Sequence, residues 1–166
     1  MREAGLEAIA EVPVDILEGD ALIASARRGG LAVDRLTVNG GGAITGTAVV
    51  ERAIALQRAL GGFRAFAPLP TVVSVAAPTT GYDDVKMIAL ARVVAENIPN
   101  IQVDWALYGP KMAQVALTVG ADDVDNVSAV DPGILGTRRS PLEEIKTNIK
   151  AAALDPLERD GMFLRL

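Results

Sequence analysis

With 166 residues, half of them apolar and only 4% aromatic, the chain is long enough for one core. Val, Ile, Leu and Ala must fill it, as they do in buried parallel strands with covering helices. A net charge of −5 excludes the basic footprint that nucleic acid or an anionic membrane requires. The absence of cysteine and histidine excludes disulfides and removes the commonest ligands of zinc, haem and iron–sulfur centres.

Met1–Leu6 reads as the last turn of a helix closed by Gly5, and nothing near it has the pattern of a signal peptide. With no apolar run of membrane length either, the expected location is cytoplasmic. Glu7–Leu17 reads as a short strand with a turn at Pro13, and Asp20–Arg28 as a brief helix stopped by Gly29-Gly30. The second strand, Leu31–Val38, has Leu31, Val33 and Leu36 as its core positions. Asn39-Gly40-Gly41-Gly42 follows. Unobstructed amides between a strand and a helix can cradle phosphate, but the dinucleotide spacing is met only by Gly41 to Gly46, so a flexible rim loop is the ordinary reading. Thr47–Leu60 is predicted helical, with Val50, Ala53, Ile54 and Leu60 as its stripe, and Phe63–Leu69 is the third strand.

Thr79 to Asp84 combines turn formers with carboxylates at a helix start, where orphan amides favour them. Val85, Ile88, Ala89 and Val93 then predict the apolar face of a helix that Pro99 stops near Asn97. Ile101–Leu107 alternates as a fourth strand with Trp105 on its apolar face, and Pro110 opens a helix that Gly120 ends. Asp122, Asp123 and Asp125 read as a solvated or capping turn, with magnesium or calcium binding the lesser alternative. Arg27-Arg28 and Arg138-Arg139 are isolated pairs that read as surface or helix-end charge. Beyond the loop Ser128–Arg139, Ser140-Pro141-Leu142-Glu143 has the form of a capping box for a last helix running to about Ala153.

Several strings carry a resemblance when taken together: Gly81-Tyr82-Asp83-Asp84-Val85-Lys86, Ile88–Arg92, Asn97–Ile101, Gly109–Leu117 and Gly120–Asp123. They resemble the C-terminal region of the radical S-adenosylmethionine enzymes of futalosine-pathway menaquinone biosynthesis, with aminofutalosine synthase the nearest in appearance. Dehypoxanthine futalosine cyclases and the synthases of the deazaflavin chromophore share the layout. Phe63–Leu69 and Pro156–Asp160 match further segments. The chain departs from the pattern where three family glycines correspond to Glu11, Val12 and Pro13, where the family glutamate corresponds to Asp15, and where Gly42 stands in place of a histidine.

What the resemblance implies is an α/β fold: a partial (β/α)8 barrel of the TIM type, about four parallel strands with covering helices and a C-terminal helical extension. One domain would span 1–166, with 1–119 as strands five to eight of the barrel and 120–166 as the extension. Barrel chemistry sits at the carboxyl ends of strands. The pocket candidates there are Asp15, Asn39, Gly41, Gly42, Pro68 and Tyr108, with Arg64 and Lys111 as cations for a small aromatic carboxylate. The full-length family uses S-adenosylmethionine and a 4Fe–4S cluster held by three cysteines in its first half, and neither cofactor is expected on this chain alone.

The leading expectation is therefore a truncated or split relative of aminofutalosine synthase, inactive alone and completed by a complementing N-terminal half-barrel chain. Homodimerisation is the other way to cover its edges. The alternatives are a non-enzymatic homodimeric half-barrel that binds a ligand and, last, a metal-dependent enzyme using Asp122, Asp123 and Asp125.

Overall fold

The computed structural model describes residues 5–72, 78–127 and 142–166. Its elements are β1 (Ala8–Ile9), β2 (Val12–Pro13), α1 (Gly19–Arg28), β3 (Ala32–Val33), β4 (Arg35–Val38), α2 (Ala48–Leu60), β5 (Ala65–Pro70), α3 (Gly81–Val94), β6 (Asn100–Asp104), α4 (Trp105–Val119), β7 (Asp123–Asp125) and α5 (Leu142–Ala151). The opening turn at Met1–Ala4, the loop with Arg138-Arg139, and the Ser140-Pro141 half of the capping box lie outside the described residues.

All pairings between these strands are parallel. β2, β4, β5, β6 and β7 form one sheet in that order, and β1 pairs with β3 just ahead of it. Strand and helix alternate along the chain because each parallel pair needs a crossover. Paired residues share a face. Leu36, Phe66 and Ile101 are in register across three strands and almost fully excluded from water, forming the middle of the core beneath the helices. Burying each such side chain stabilises the fold by roughly 1.5–3 kcal/mol. Leu31 and Val33 are buried as the spacing predicts. Among the described residues no helix is long and apolar enough to cross a membrane.

The other face is concave. Arg35 on β4 is ion-paired with Asp125 on β7, three strand intervals away. At about 4.8 Å per interval a flat sheet would hold them out of reach, so the sheet curls into a trough. Pro13 sits in the edge strand, where its missing amide costs no ladder bond.

Three expectations are corrected. The fourth strand ends at Asp104 instead of Leu107, because the Asp104 carboxylate accepts the Leu107 amide at 2.8 Å and starts α4 at Trp105. Gly109 (φ 76°) then breaks α4, and Pro110 opens its second segment as its position predicts. Asp123-Val124-Asp125 is a fifth parallel strand in register with Gln102–Asp104, not a solvated turn; its acids face the trough, where arginines meet them. The buried stripe of α3 runs through Asp84, Ile88, Ala91 and the following Ala95, while Val93 is 70% exposed. The start of α3 follows the predicted pattern: Thr80 and Asp83 form a reciprocal capping box.

Asp84 is the unusual member of that stripe. Burial pushes its carboxyl above the ordinary 3.8, helped by neighbouring Asp83 and opposed by a hydrogen bond from Thr79. A carboxyl raised in the folded state favours folding below the unfolded value and loses that contribution as pH rises through the folded one. Asp84→Asn is therefore expected to raise the melting temperature at pH 7 by roughly 3 °C, in line with a gain near 1 kcal/mol in a chain of this size. The gain should vanish in scans below the ordinary carboxylate range. Thermal melts of both proteins from pH 3 to pH 8 check it.

Candidate functional site

The alternation that buries Leu36, Phe66 and Ile101 on one face turns Arg35, Thr37, Ala67, Leu69, Gln102 and Asp104 toward the trough. These residues, with Glu11 at one side and Ala106–Tyr108 of α4 at the rim, line a cavity of about 410 Å³. Its rim is fixed by two contacts. The Tyr108 hydroxyl donates to the Pro70 carbonyl at 2.7 Å, tying α4 to the end of β5, and the Asn126 amide donates to Asp104 at 3.3 Å. Burial, then the Asp84 and Asp104 carboxylates, push the Tyr108 phenol well above its usual range, so it remains a donor.

The floor of the trough is a charged chain. Arg35 is ion-paired with Glu11 and Asp125, and its Nη1 donates to Gln102 Oε1 at 3.0 Å. Gln102 Nε2 donates to Asp123 Oδ2 at 2.5 Å. Arg159, from the C-terminal tail, grips Asp123 with Nε at 2.7 Å and Nη2 at 2.6 Å, approaches Asp125 at 3.5 Å, and stacks on Phe163. Two guanidinium groups thus hold Glu11, Asp123 and Asp125 on one surface. Arg35→Met would leave Glu11 without its cation and Asp125 with only the longer contact to Arg159. The expected loss is about 2 kcal/mol, below the figure for a fully buried pair because these side chains keep some contact with solvent. The triple variant Glu11→Gln, Arg35→Met, Asp125→Asn should recover most of it, and urea unfolding of the two variants checks the difference.

A second cluster lies beside the cavity. Asp15 is buried, and its carboxylate accepts the amides of Asn39 at 2.8 Å, Gly40 at 2.9 Å and Gly42 at 3.3 Å. The amides of Asn39, Gly40 and Gly42 that could have cradled a phosphate are therefore spent on an internal anion, which ties down the start of the loop expected from sequence to be flexible. A Cβ on Gly42 would lie 2.1 Å from the Asp15 carbonyl oxygen, so no histidine fits where the family pattern has one.

The sequence candidates thus divide. Asp15, Asn39 and Gly42 come together as one structural cluster, and Tyr108 joins the cavity. Gly41 is exposed and outside the cluster's hydrogen bonds. Pro68 is buried on the face opposite Ala67 and Leu69. Arg64 is exposed at the amino end of β5, donating to the Met162 carbonyl at 3.1 Å, and Lys111 is exposed on the second segment of α4, so neither cation lines the cavity. Arg27 proves to be a helix-end charge that donates to the Leu60 and Gly61 carbonyls and covers Phe63. Asp122 accepts the Ile101 amide and pairs with Arg92. Among the described residues no three Asp or Glu converge for a metal. Glu11, Arg35, Thr37, Gln102 and Asp104 were missed, although polar residues two apart on predicted buried strands were a usable signal.

Residues 63–163 match the family described as the CofH/MqnC C-terminal region. The chain is 32% identical over 129 residues to a 5-amino-6-(D-ribitylamino)uracil–L-tyrosine 4-hydroxyphenyl transferase of Methanosarcina barkeri, covering 67% of this chain and 33% of the relative. It is 35% identical over 121 residues to the transferase of Archaeoglobus fulgidus, covering 65% and 35%. With the aminodeoxyfutalosine synthase of Thermus thermophilus it shares 33% over 129 residues, covering 69% and 34%. These identities do not separate the two named activities, and the chain spans about a third of the length of these relatives. With the match running from Phe63 through α3, β6, α4 and the tail that carries Arg159, this chain belongs to the CofH/MqnC C-terminal region family.

Proposed function

We propose that this chain builds the substrate-side wall of a radical S-adenosylmethionine active site, as part of a (β/α)8 barrel whose other strands come from outside these 166 residues. The observation that carries the reading is the cavity in the trough of a curled parallel sheet, which runs from Glu11 and Arg35 at the amino ends of the strands to Thr71, Asp104 and Asn126 at their carboxyl ends, where barrel enzymes do their chemistry, in a member of this family. The reactions named for the relatives, aminodeoxyfutalosine synthesis and 4-hydroxyphenyl transfer from tyrosine, are the candidate activities of the complete site.

The cofactors do not fit these residues. No thiolate exists among them to hold a cluster. Glu11, Val12 and Pro13 carry side chains where the resemblance has glycines, and Glu11 is committed to Arg35. The chain alone is accordingly inactive, and the cluster and S-adenosylmethionine belong to the complementing portion. An aromatic carboxylate, if that is the substrate, takes its cation from that portion too, since Arg64 and Lys111 lie away from the cavity.

Co-expression with the cluster-bearing portion of the Thermus thermophilus synthase, followed by light scattering and anaerobic iron–sulfide reconstitution, tests the reading. A one-to-one complex with visible cluster absorbance, absent from the chain alone, is expected. Cluster absorbance in the isolated chain overturns it. So does a stable homodimer that ignores the partner, which favours a homodimeric binding module.

A further inference from the structure

We propose that Arg35 and Thr37, two positions apart on the concave face of β4, read the ligand in the cavity and select an uncharged oxygen, a hydroxyl or amide carbonyl, over a carboxylate. The inference rests on the reading of the cavity as the substrate site, and it deepens that reading by naming the chemistry recognised.

Most polar groups around the cavity are already spent. Tyr108 donates to Pro70, Asp104 caps α4 and takes the Asn126 amide, and Gln102 bridges Arg35 to Asp123. Two buried lining atoms lack a partner: Arg35 Nε, and the hydroxyl of Thr37, a residue only 2% exposed. Leaving such groups unpaired costs about 1–3 kcal/mol each, a cost that a ligand oxygen can remove. A change of χ1 rotamer is the only movement Thr37 needs to turn its hydroxyl toward the cavity it lines.

Charge sets the selection. The terminal nitrogens of Arg35 are committed to Glu11, Asp125 and Gln102, so its charge is countered twice, and Asp104 joins Glu11 as a second carboxylate in the lining. An incoming carboxylate would meet those acids with no free cation. A neutral carbonyl or hydroxyl oxygen can accept from Arg35 Nε–H and exchange a hydrogen bond with Thr37 without that repulsion.

The test uses the full chain and a matched probe pair, 3-hydroxybenzamide and 3-hydroxybenzoate, titrated by amide-resolved NMR. The benzamide is expected to shift Thr37 and the Gln102 side chain and to bind about tenfold tighter than the benzoate, the scale of one hydrogen bond. Thr37→Val should weaken the benzamide about tenfold while Thr37→Ser keeps its affinity, and Glu11→Gln, which removes one countercharge, should strengthen the benzoate. If both probes bind in the cavity but the benzoate binds as tightly, or Thr37→Val changes nothing, the selection is overturned and the cavity stands as a binding site. If neither probe moves Thr37 or Gln102, the inference and the substrate-wall reading fall together.

Discussion

Trp105→Ala is expected to cost the fold roughly 4 kcal/mol, the range seen when a buried aromatic side chain is truncated in a packed core. Trp105 is the single tryptophan of the chain, completely excluded from water at the point where β6 passes into α4. Its ring belongs to the same core cluster as Ile88, Ala91 and Ala113, so truncation opens a cavity where α3 and α4 meet the sheet. Trp105→Phe should cost much less than its lost volume implies. The indole Nε1–H is buried without a partner, and phenylalanine removes that unsatisfied donor along with the extra ring. Urea unfolding followed by circular dichroism ranks the variants; an alanine variant within 1 kcal/mol of the parent would show that this junction is not a core position.

The core was legible in the sequence wherever burial followed a simple period, and the site was not. Leu31 and Val33 alternate and are buried, Leu36 is buried one residue out of that period after the break at Asp34, and Thr80 with Asp83 announces the start of α3. Period alone misjudged α3, because the buried face includes Asp84 and small Ala91 while Val93 points to solvent; tertiary packing overrode hydrophobicity. Asp123–Asp125 was unreadable as a strand because its acids are satisfied by Arg159, Arg35 and Gln102, all distant in sequence. The site suffered from the same blindness to long range. Arg64 and Lys111 were chosen by residue type, yet both are exposed and neither lines the cavity. Arg35 is the cation that the curl of the sheet draws into the trough.

Gly42→Ala is expected to cost about 3 kcal/mol, the upper part of the usual range for forcing an atom into occupied space. Its new Cβ would stand 2.1 Å from the carbonyl oxygen and 2.7 Å from the carbonyl carbon of Asp15, so backbone must move on one side or the other. Movement is opposed from several directions. Asp15 holds the amides of Asn39, Gly40 and Gly42, while the Asn39 carbonyl accepts the Val72 amide and the Val38 carbonyl accepts that of Thr71. Gly41→Ala is the matched control: a Cβ there meets nothing within 4 Å, and the change should stay within about 0.5 kcal/mol. Asp15→Asn separates the contact from the carboxylate. It keeps one acceptor oxygen and the same backbone, so it should cost about 2 kcal/mol by weakening the grip on the loop, without relieving the Gly42 clash. Combined with Gly42→Ala it should make the loss larger. If the double variant instead recovers stability, the loss in Gly42→Ala comes from the carboxylate's hold on the loop amides and not from the contact with Asp15. Guanidinium unfolding of the three single variants and the double decides between them.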